Sequence, residues 1–199
     1  QVIRERSEVE ALARSVASSE GVVFVPALSG LGAPHWDPDA RGLITGLTRG
    51  SSAGHIARAT LEAIAFQVSD LVEAVREDLA LALQSGSATG RICDGAIGVP
   101  RIRVDGGAAE NNLLMQFQSD ISNLSIERPL DLESTARGAA MLAGVGAGVF
   151  SGVKQAAQMV AYPGRFEPQM GDEARAEHLA RWRAAVSRAR SVRSELHGH

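Results

Sequence analysis

The sequence predicts an α/β fold, because short apolar runs that suit β-strands alternate with longer segments of helical periodicity. The clearest strand is Val22–Pro26, whose continuous apolar character is typical of a strand covered on both faces. The clearest helix begins near Ser52, where apolar residues start to recur at intervals of three and four for about 30 residues. A last helical segment begins near Gly171, so the predicted fold ends in a helix.

One strand is joined to the following helix through two adjacent glycines. Arg101–Val104 suits a strand, Gly106 and Gly107 follow, and a helical pattern starts at Leu113. Paired glycines allow dihedrals that a side chain forbids, or let another group lie directly on the chain. Unpaired N–H groups at a helix start attract polar ligands, so the layout favours a nucleotide contact, with Asn111 as an additional donor and acceptor. These residues are equally compatible with a tight turn between a buried strand and a helix.

Composition and charge exclude several classes of protein. The net charge is −3 and the pI is near 6.0, so no basic field favours nucleic acid or an anionic membrane surface. No apolar stretch approaches the roughly 20 residues that a membrane-spanning helix needs. Cys93 is the only cysteine, which favours a reducing, cytoplasmic location. The opening residues from Gln1 read like the middle of an element, and we expect the chain to be part of a longer protein.

Ahead of the long helix we expect one short helix and two strands joined by a loop. Ser7 and Glu10 have capping-box spacing before the short helix. Residues 29–42 hold three glycines and two prolines, which predicts an irregular loop of defined shape, with Trp36 large enough to anchor it. Such a loop serves either binding or packing against a neighbouring domain. Leu43–Leu47 is the second strand.

The long helix carries one apolar stripe and ends in an insertion. The stripe consists of Leu61, Ile64, Val68, Leu71, Val75 and Leu79. His55 has no cysteine or second histidine at metal-ligand spacing, so a structural role is favoured over metal binding. Residues 85–100 begin with small, polar residues and predict a flexible insertion.

The last third of the chain predicts one strand and three helices. Leu124–Arg128 alternates and ends before Pro129, which indicates a short strand. Residues 133–135 cap a helix that runs to about residue 150, and its many alanines and glycines predict tight packing on the sheet. A short helix near residues 153–160 follows. The arginines of the final helix are interspersed with acidic residues, so a solvated face is favoured over RNA binding.

The chain shows no complete set of catalytic residues. Metal-binding His and Cys motifs and a Walker A loop do not occur in the sequence. Three acidic residues, Asp105, Asp120 and Glu133, lie near the Gly-Gly turn. Because none has a recognisable partner that would tune its pKa, hydrogen bonding or surface charge is favoured over general-base catalysis.

Several blocks of the sequence together resemble the glycerol kinases of the FGGY family of carbohydrate kinases, in their carboxy-terminal half. The blocks are Phe24–Pro38, Gly46–Gly50, Ala59–Ala65, Arg103–Asp120 and Gly138–Gly144. The first block is specific, since other FGGY sugar kinases share the Gly-Gly element but not, as a rule, the proline-bracketed loop. Three departures stand out: Val2 replaces a tryptophan, Arg137 occupies a usually apolar position, and residues 85–100 are additional.

The resemblance implies an actin-like, ribonuclease-H-type α/β domain, with a mixed sheet flanked by helices, over residues 1–199. It implies the nucleotide-side domain of a kinase that uses ATP and Mg²⁺ to phosphorylate glycerol, in which Gly107 and Asn111 hold the nucleotide. Gln1 stands where the family has a further glutamine that contacts ATP. The glycerol contacts, the general-base aspartate and most Mg²⁺ ligands belong to the amino-terminal part of the family.

The resemblance leaves other readings open. This chain alone is expected to bind nucleotide weakly and to catalyse nothing. Another FGGY polyol or sugar kinase, and a non-catalytic module of the same fold, are the alternatives. No sequence feature sets the oligomeric state, but we expect a homo-oligomer for the full-length protein.

Overall fold

The structure, a computed structural model, describes Glu5, residues 8–85 and residues 101–191. Within these residues it holds five strands, six α-helices and one 3₁₀ helix. The strands are β1 (Val23–Val25), β2 (Leu43–Thr45), β3 (Arg101–Arg103), β4 (Ser125–Arg128) and β5 (Gly164–Phe166). The α-helices are α1 (Glu8–Arg14), α2 (Ala53–Gln84), α3 (Asn112–Ser122), α4 (Ser134–Gly146), α5 (Val153–Ala157) and α6 (Asp172–Ala189). The 3₁₀ helix is Gly107–Glu110.

The strands form two sheets, and the larger sheet is mixed. β1 pairs with β2 in antiparallel orientation. β4 is the centre of the second sheet, with β3 parallel on one edge and β5 antiparallel on the other. α3 packs against β4 and β5, and α6 packs against α3 and β1. The predicted α/β fold, with a mixed sheet, flanking helices and a closing helix, is confirmed.

Aromatic rings from three helices form the centre of the core. The rings of Phe66 and Trp182 stack with centroids 5.2 Å apart, and Phe117 meets Phe66 edge-on at 5.5 Å. The imidazole of His178 lies against both phenylalanines, and burial lowers its pKa below the ordinary value. This cluster joins α2, α3 and α6 into one packed unit, and α3 begins at the candidate site.

Only Leu61 of the predicted apolar stripe of α2 is buried, and Ile64 is already 38% exposed. The buried residues of α2 lie between Gly54 and Phe66. Leu71 is 43% exposed and Val75 is 51% exposed. The periodicity correctly predicted a helix, but it did not show where along the helix the neighbouring elements end.

The prediction that the helix rich in alanine and glycine packs tightly on the sheet is wrong. None of the 13 residues of α4, all of them described, is buried. One of its glycines, Gly144, serves a local contact instead, because a Cβ atom there would lie 2.6 Å from Cε2 of Phe150. Since α4 is a surface helix within the described chain, the charge of Arg137 is accommodated, and its Nη1 donates to the Asp131 carbonyl at 2.7 Å.

The prediction that Trp36 anchors the proline-bracketed loop is also wrong, although the loop has the predicted defined shape. Trp36 is 76% exposed, whereas Asp37 is 1% exposed. The Asp37 carboxylate accepts hydrogen bonds from the N–H groups of Asp39 and Ala40, each at 3.1 Å. It also accepts the N–H of Ser191 at 2.7 Å and the Ser191 hydroxyl at 2.9 Å. A buried carboxylate therefore joins the loop to the residues after α6, and we call this arrangement the Asp37 clasp.

Other predicted elements are confirmed with shifted ends, and some predictions fall outside the described residues. The short helix predicted after Ser7 is α1, which ends at Arg14, and the strand predicted over Val22–Pro26 is β1, which covers only Val23–Val25. Gln1, Ser7 and residues 86–100 of the predicted insertion are not among the described residues. In the described part of the chain, no helix has both the length and the apolar character needed to cross a membrane.

The Asp37 clasp gives a prediction about stability and pH. Hydrogen bonds, led by the one from the Ser191 backbone, hold the pKa of Asp37 below its ordinary value of 3.8. A lowered folded-state pKa adds stability above the unfolded-state value, and this stability is lost as the pH falls below about 4. We expect Asp37→Asn to lower the midpoint of thermal unfolding by several degrees at pH 7, and by less near pH 3. The exposed Asp39→Asn is the matched control, and an equal loss in both variants would contradict the clasp.

Candidate functional site

The turn after β3 has a backbone conformation that requires glycine at one of its two glycine positions. Gly106 has φ 74° and ψ 173°, which L side chains rarely adopt. Its N–H donates to the Leu132 carbonyl at 3.0 Å, and just before it the Val104 N–H donates to the Glu127 carbonyl at 3.1 Å. The chain therefore leaves the sheet in a fixed direction, held by the residues that follow β4.

Gly107 begins the 3₁₀ helix and is exposed. Gly107 does not have the positive φ that Gly106 has. The backbone therefore does not demand a glycine here, in contrast to Gly106. Paired glycines allow either unusual dihedrals or the close approach of another group, and the first explanation applies to Gly106. The second, close approach of another group, stays a prediction for Gly107.

Asn111 lies at the junction of the 3₁₀ helix and α3 and caps α3. Its Oδ1 accepts the N–H of Leu114 at 2.9 Å, which is the ordinary N-cap arrangement. The sequence analysis assigned this side chain both a donor and an acceptor for a ligand. The cap uses the acceptor, so the amide nitrogen of this half-buried residue is the group that can donate to a ligand.

The connection between β4 and α4 supports the turn at two further points. The hydroxyl of Ser134 donates to the carboxylate of Asp105. Arg128 donates from Nη1 to the carbonyls of Ala109 and Glu110, at 2.8 and 3.3 Å. The same nitrogen donates to Oδ1 of Asn112 at 2.8 Å. Sequence reasoning missed these contacts; the only available signal was that Arg128 ends the strand next to the turn.

The three acidic residues that the sequence singled out lie apart: Asp105 is next to the turn, Asp120 is near the end of α3 and Glu133 precedes α4. Asp105 accepts the Ser134 hydroxyl, as described above. Asp120 accepts from Nε2 of Gln116 at 3.0 Å and from the N–H of Gln169 at 2.7 Å. Glu133 is exposed at the start of α4 and makes no side-chain cap. None of these arrangements presents a carboxylate with the partner that general-base catalysis requires.

Charged side chains of the sheet beside the turn pair with one another. The carboxylate of Glu127 accepts from Arg101 at 2.6 Å and from Arg103 at 3.1 Å. The hydrogen bond from Arg101, and then that from Arg103, lower the pKa of Glu127 and keep it ionised. Because one carboxylate pairs with both cations of β3, these residues already have a partner within the sheet.

The remaining site predictions concern metals and the chain start. His55 has the structural role that the sequence favoured, since its Nδ1 accepts the N–H of Ser52 at 3.0 Å at the start of α2. Among the described residues, no three His, Cys, Asp or Glu side chains are grouped so that they could hold a metal ion. Gln1 lies outside the described residues, so the structure does not place it relative to Gly107 and Asn111.

Comparison with known proteins shows the class to which this domain belongs. Residues 2–147 match the C-terminal domain of the FGGY family of carbohydrate kinases, and the chain belongs to this family. Glycerol kinases are among the relatives it matches. That of Aromatoleum aromaticum is 51% identical over 189 residues, which cover 95% of this chain and 35% of the relative. That of Herminiimonas arsenicoxydans is 47% identical over 190 residues, 96% of this chain and 35% of the relative.

Solved structures agree with the family assignment. A glycerol kinase of Plasmodium falciparum, solved with ADP, matches with a TM-score of 0.78 and 34% identity over 94% of this chain and 34% of that one. A xylulose kinase from Rhodospirillum rubrum matches with a TM-score of 0.64 and 23% identity over 92% of this chain, and this likeness concerns the fold alone. The fold is the actin-like ATPase fold of the FGGY kinases, as the resemblance implied. The chain spans about a third of the length of the curated relatives it matches.

The backbone conformation requires glycine at Gly106 but not at Gly138, and this difference gives a prediction. We expect Gly106→Ala to cost about 1–3 kcal/mol of stability, because alanine must adopt a strained backbone conformation there. Gly138→Ala in α4 is the matched control. A Cβ at Gly138 meets nothing within 4 Å, and the helical backbone suits alanine, so this change should be neutral or stabilise by up to about 1 kcal/mol. Urea unfolding of both variants measures the difference, and equal stabilities would contradict the assigned role of Gly106.

Proposed function

We propose that this chain is the nucleotide-binding part of an ATP-dependent glycerol kinase, which converts ATP and glycerol to sn-glycerol 3-phosphate and ADP. One observation carries the proposal. The exposed turn at Gly107 and the cap at Asn111 lie in a domain with a TM-score of 0.78 to a glycerol kinase solved with ADP. The glycerol kinase relatives, up to 51% identical over 95% of this chain, support the same substrate.

In this proposal the nucleotide lies against bare backbone at Gly107. The absent side chain lets a flat, apolar group approach the chain, and the amide nitrogen of Asn111 donates to the nucleotide from the first turn of α3. The capping bond to Leu114 fixes the direction of that amide. Gln1 is proposed as a third contact on the strength of the resemblance.

The other requirements of the reaction are assigned to a part of the protein beyond this chain. Phosphoryl transfer needs Mg²⁺ on the phosphates and a group that orients the attacking hydroxyl. The described residues offer no cluster of metal ligands, and Asp105, which is next to the turn, accepts the Ser134 hydroxyl. We therefore assign glycerol, the catalytic base and most Mg²⁺ ligands to an amino-terminal domain, with residues 1–199 as the carboxy-terminal domain and 85–100 as its insertion.

The proposal includes a cytoplasmic, homo-oligomeric enzyme and an inactive isolated domain. The single cysteine and the ordinary charge support the location, and the family assignment supports the activity. A different polyol or sugar as substrate is the alternative. The likeness to xylulose kinases does not favour it, because identities near 23% concern the fold alone.

Substrate specificity tests the proposal directly. ADP formation by the full-length protein is measured in a coupled assay with ATP, Mg²⁺ and glycerol, xylulose or gluconate in parallel. We expect glycerol-dependent turnover and little with the two sugars. Turnover with xylulose or gluconate but not with glycerol would identify a different substrate. ATP binding without turnover of any polyol would support a non-catalytic module.

Two substitutions test the nucleotide contact. Asn111→Ser keeps an oxygen that can cap α3 but removes the amide nitrogen, so stability should change little. We expect the ATP KM to rise about fivefold, the worth of one hydrogen bond, with no change in the glycerol KM. Gly107→Val should weaken ATP binding more strongly, because a side chain would occupy the place of the nucleotide. An unchanged ATP KM in both variants would remove this site from the proposal.

A further inference from the structure

We propose that Arg128 is a positioning residue of the nucleotide site, which holds the 3₁₀ helix and the start of α3 where Gly107 and Asn111 can contact the nucleotide. This inference rests on the proposed function and extends it to a residue of the neighbouring strand. Arg128 acts through the backbone of the turn, and it needs no contact with the nucleotide itself.

The contacts of Arg128 surround Asn111. Its Nη1 lies 2.8 Å from the Ala109 carbonyl, 3.3 Å from the Glu110 carbonyl and 2.8 Å from Oδ1 of Asn112. These acceptors come directly before and after Asn111 in the chain. Carbonyl groups at the end of a short helix need partners from elsewhere, and a charged donor gives stronger hydrogen bonds than a neutral one.

Contacts with β5 also hold the guanidinium in place. Cζ of Arg128 lies 5.1 Å from the centre of the Phe166 ring on β5, close enough for a cation–π contact. Gly164, also on β5, leaves the space for this side chain. A Cβ atom there would be 3.0 Å from Cβ of Arg128 and 3.1 Å from its Nε. The contacts with β5 therefore fix the orientation of the planar guanidinium beside the turn. A lysine ammonium lacks this planar shape and would not reproduce the arrangement.

The sheet determines which part of the turn Arg128 reaches. β3 and β4 pair in parallel, with Arg103 opposite Glu127, and the Val104 N–H donates to the Glu127 carbonyl beyond the end of β3. Arg128 is the next residue of β4, so it lies beside the segment into which β3 continues. Shifts of about 1 Å in groups that position a substrate have large effects, so a loosened turn should weaken the nucleotide contact.

The experiment compares two matched substitutions in the full-length enzyme. Arg128→Gln removes the charge and the Nη1 donor, whereas Arg165→Gln removes the same side chain from β5, where it is exposed and pairs with Glu167. We expect Arg128→Gln to raise the ATP KM and the dissociation constant of ADP about fivefold. The glycerol KM should stay unchanged, and Arg165→Gln should change neither nucleotide value. Arg128→Lys should recover only part of the loss.

A second variant covers the case in which Arg128→Gln does not fold. Gly164→Ala keeps the charge but presses on Cβ and Nε of Arg128, and it should also raise the ATP KM without raising the glycerol KM. An unchanged ATP KM in the folded Arg128 variants and in Gly164→Ala would overturn the inference, as would equal rises for ATP and glycerol. If Asn111→Ser and Gly107→Val also leave ATP unaffected, the nucleotide site itself is wrong. If those two weaken ATP and the Arg128 variants do not, only the positioning role fails.

Discussion

The candidate site depends on the parallel pairing of β3 with β4. This pairing continues one residue past β3, where the Val104 N–H donates to the Glu127 carbonyl, and it brings the Gly-Gly turn beside the connection that follows β4. Three supports of the turn then come from the end of β4 and the residues after it: the Leu132 carbonyl, the Ser134 hydroxyl and the Arg128 guanidinium. A short strand is thus sufficient to place an exposed turn, because its neighbour supplies the contacts that the turn cannot make by itself.

Local patterns predicted the elements well, since helices and strands follow from spacings along the chain. The long helix α2, the strand before the glycines and the closing helix α6 all lie where periodicity placed them. Patterns failed where the answer depended on distant residues. The alanines and glycines of α4 indicate that close packing is possible, but only the neighbouring elements decide whether it happens, and within the described chain none buries α4.

In the candidate site, too, local features could be predicted from the sequence and long-range contacts could not. Gly106 could be predicted, because a glycine before a helix is a local requirement, and the structure gives it a glycine conformation. Arg128 could not be predicted, because its acceptors lie 16–19 residues away and become neighbours only through the sheet. The prediction that Trp36 anchors the loop failed for the same reason. A large ring looks like an anchor in the sequence, but the anchor is a carboxylate whose partner lies near the other end of the chain.

That distance has a consequence for the order of folding. Asp37 and Ser191 are 154 residues apart, so the buried carboxylate cannot obtain the donors of Ser191 until that residue has left the ribosome. During synthesis the loop must keep its acidic group in water, because burying an unpaired charge is too costly. Contacts this distant in sequence also form slowly, since closing a long loop costs entropy. The loop should therefore reach its final conformation late, after α6 has packed against the aromatic core.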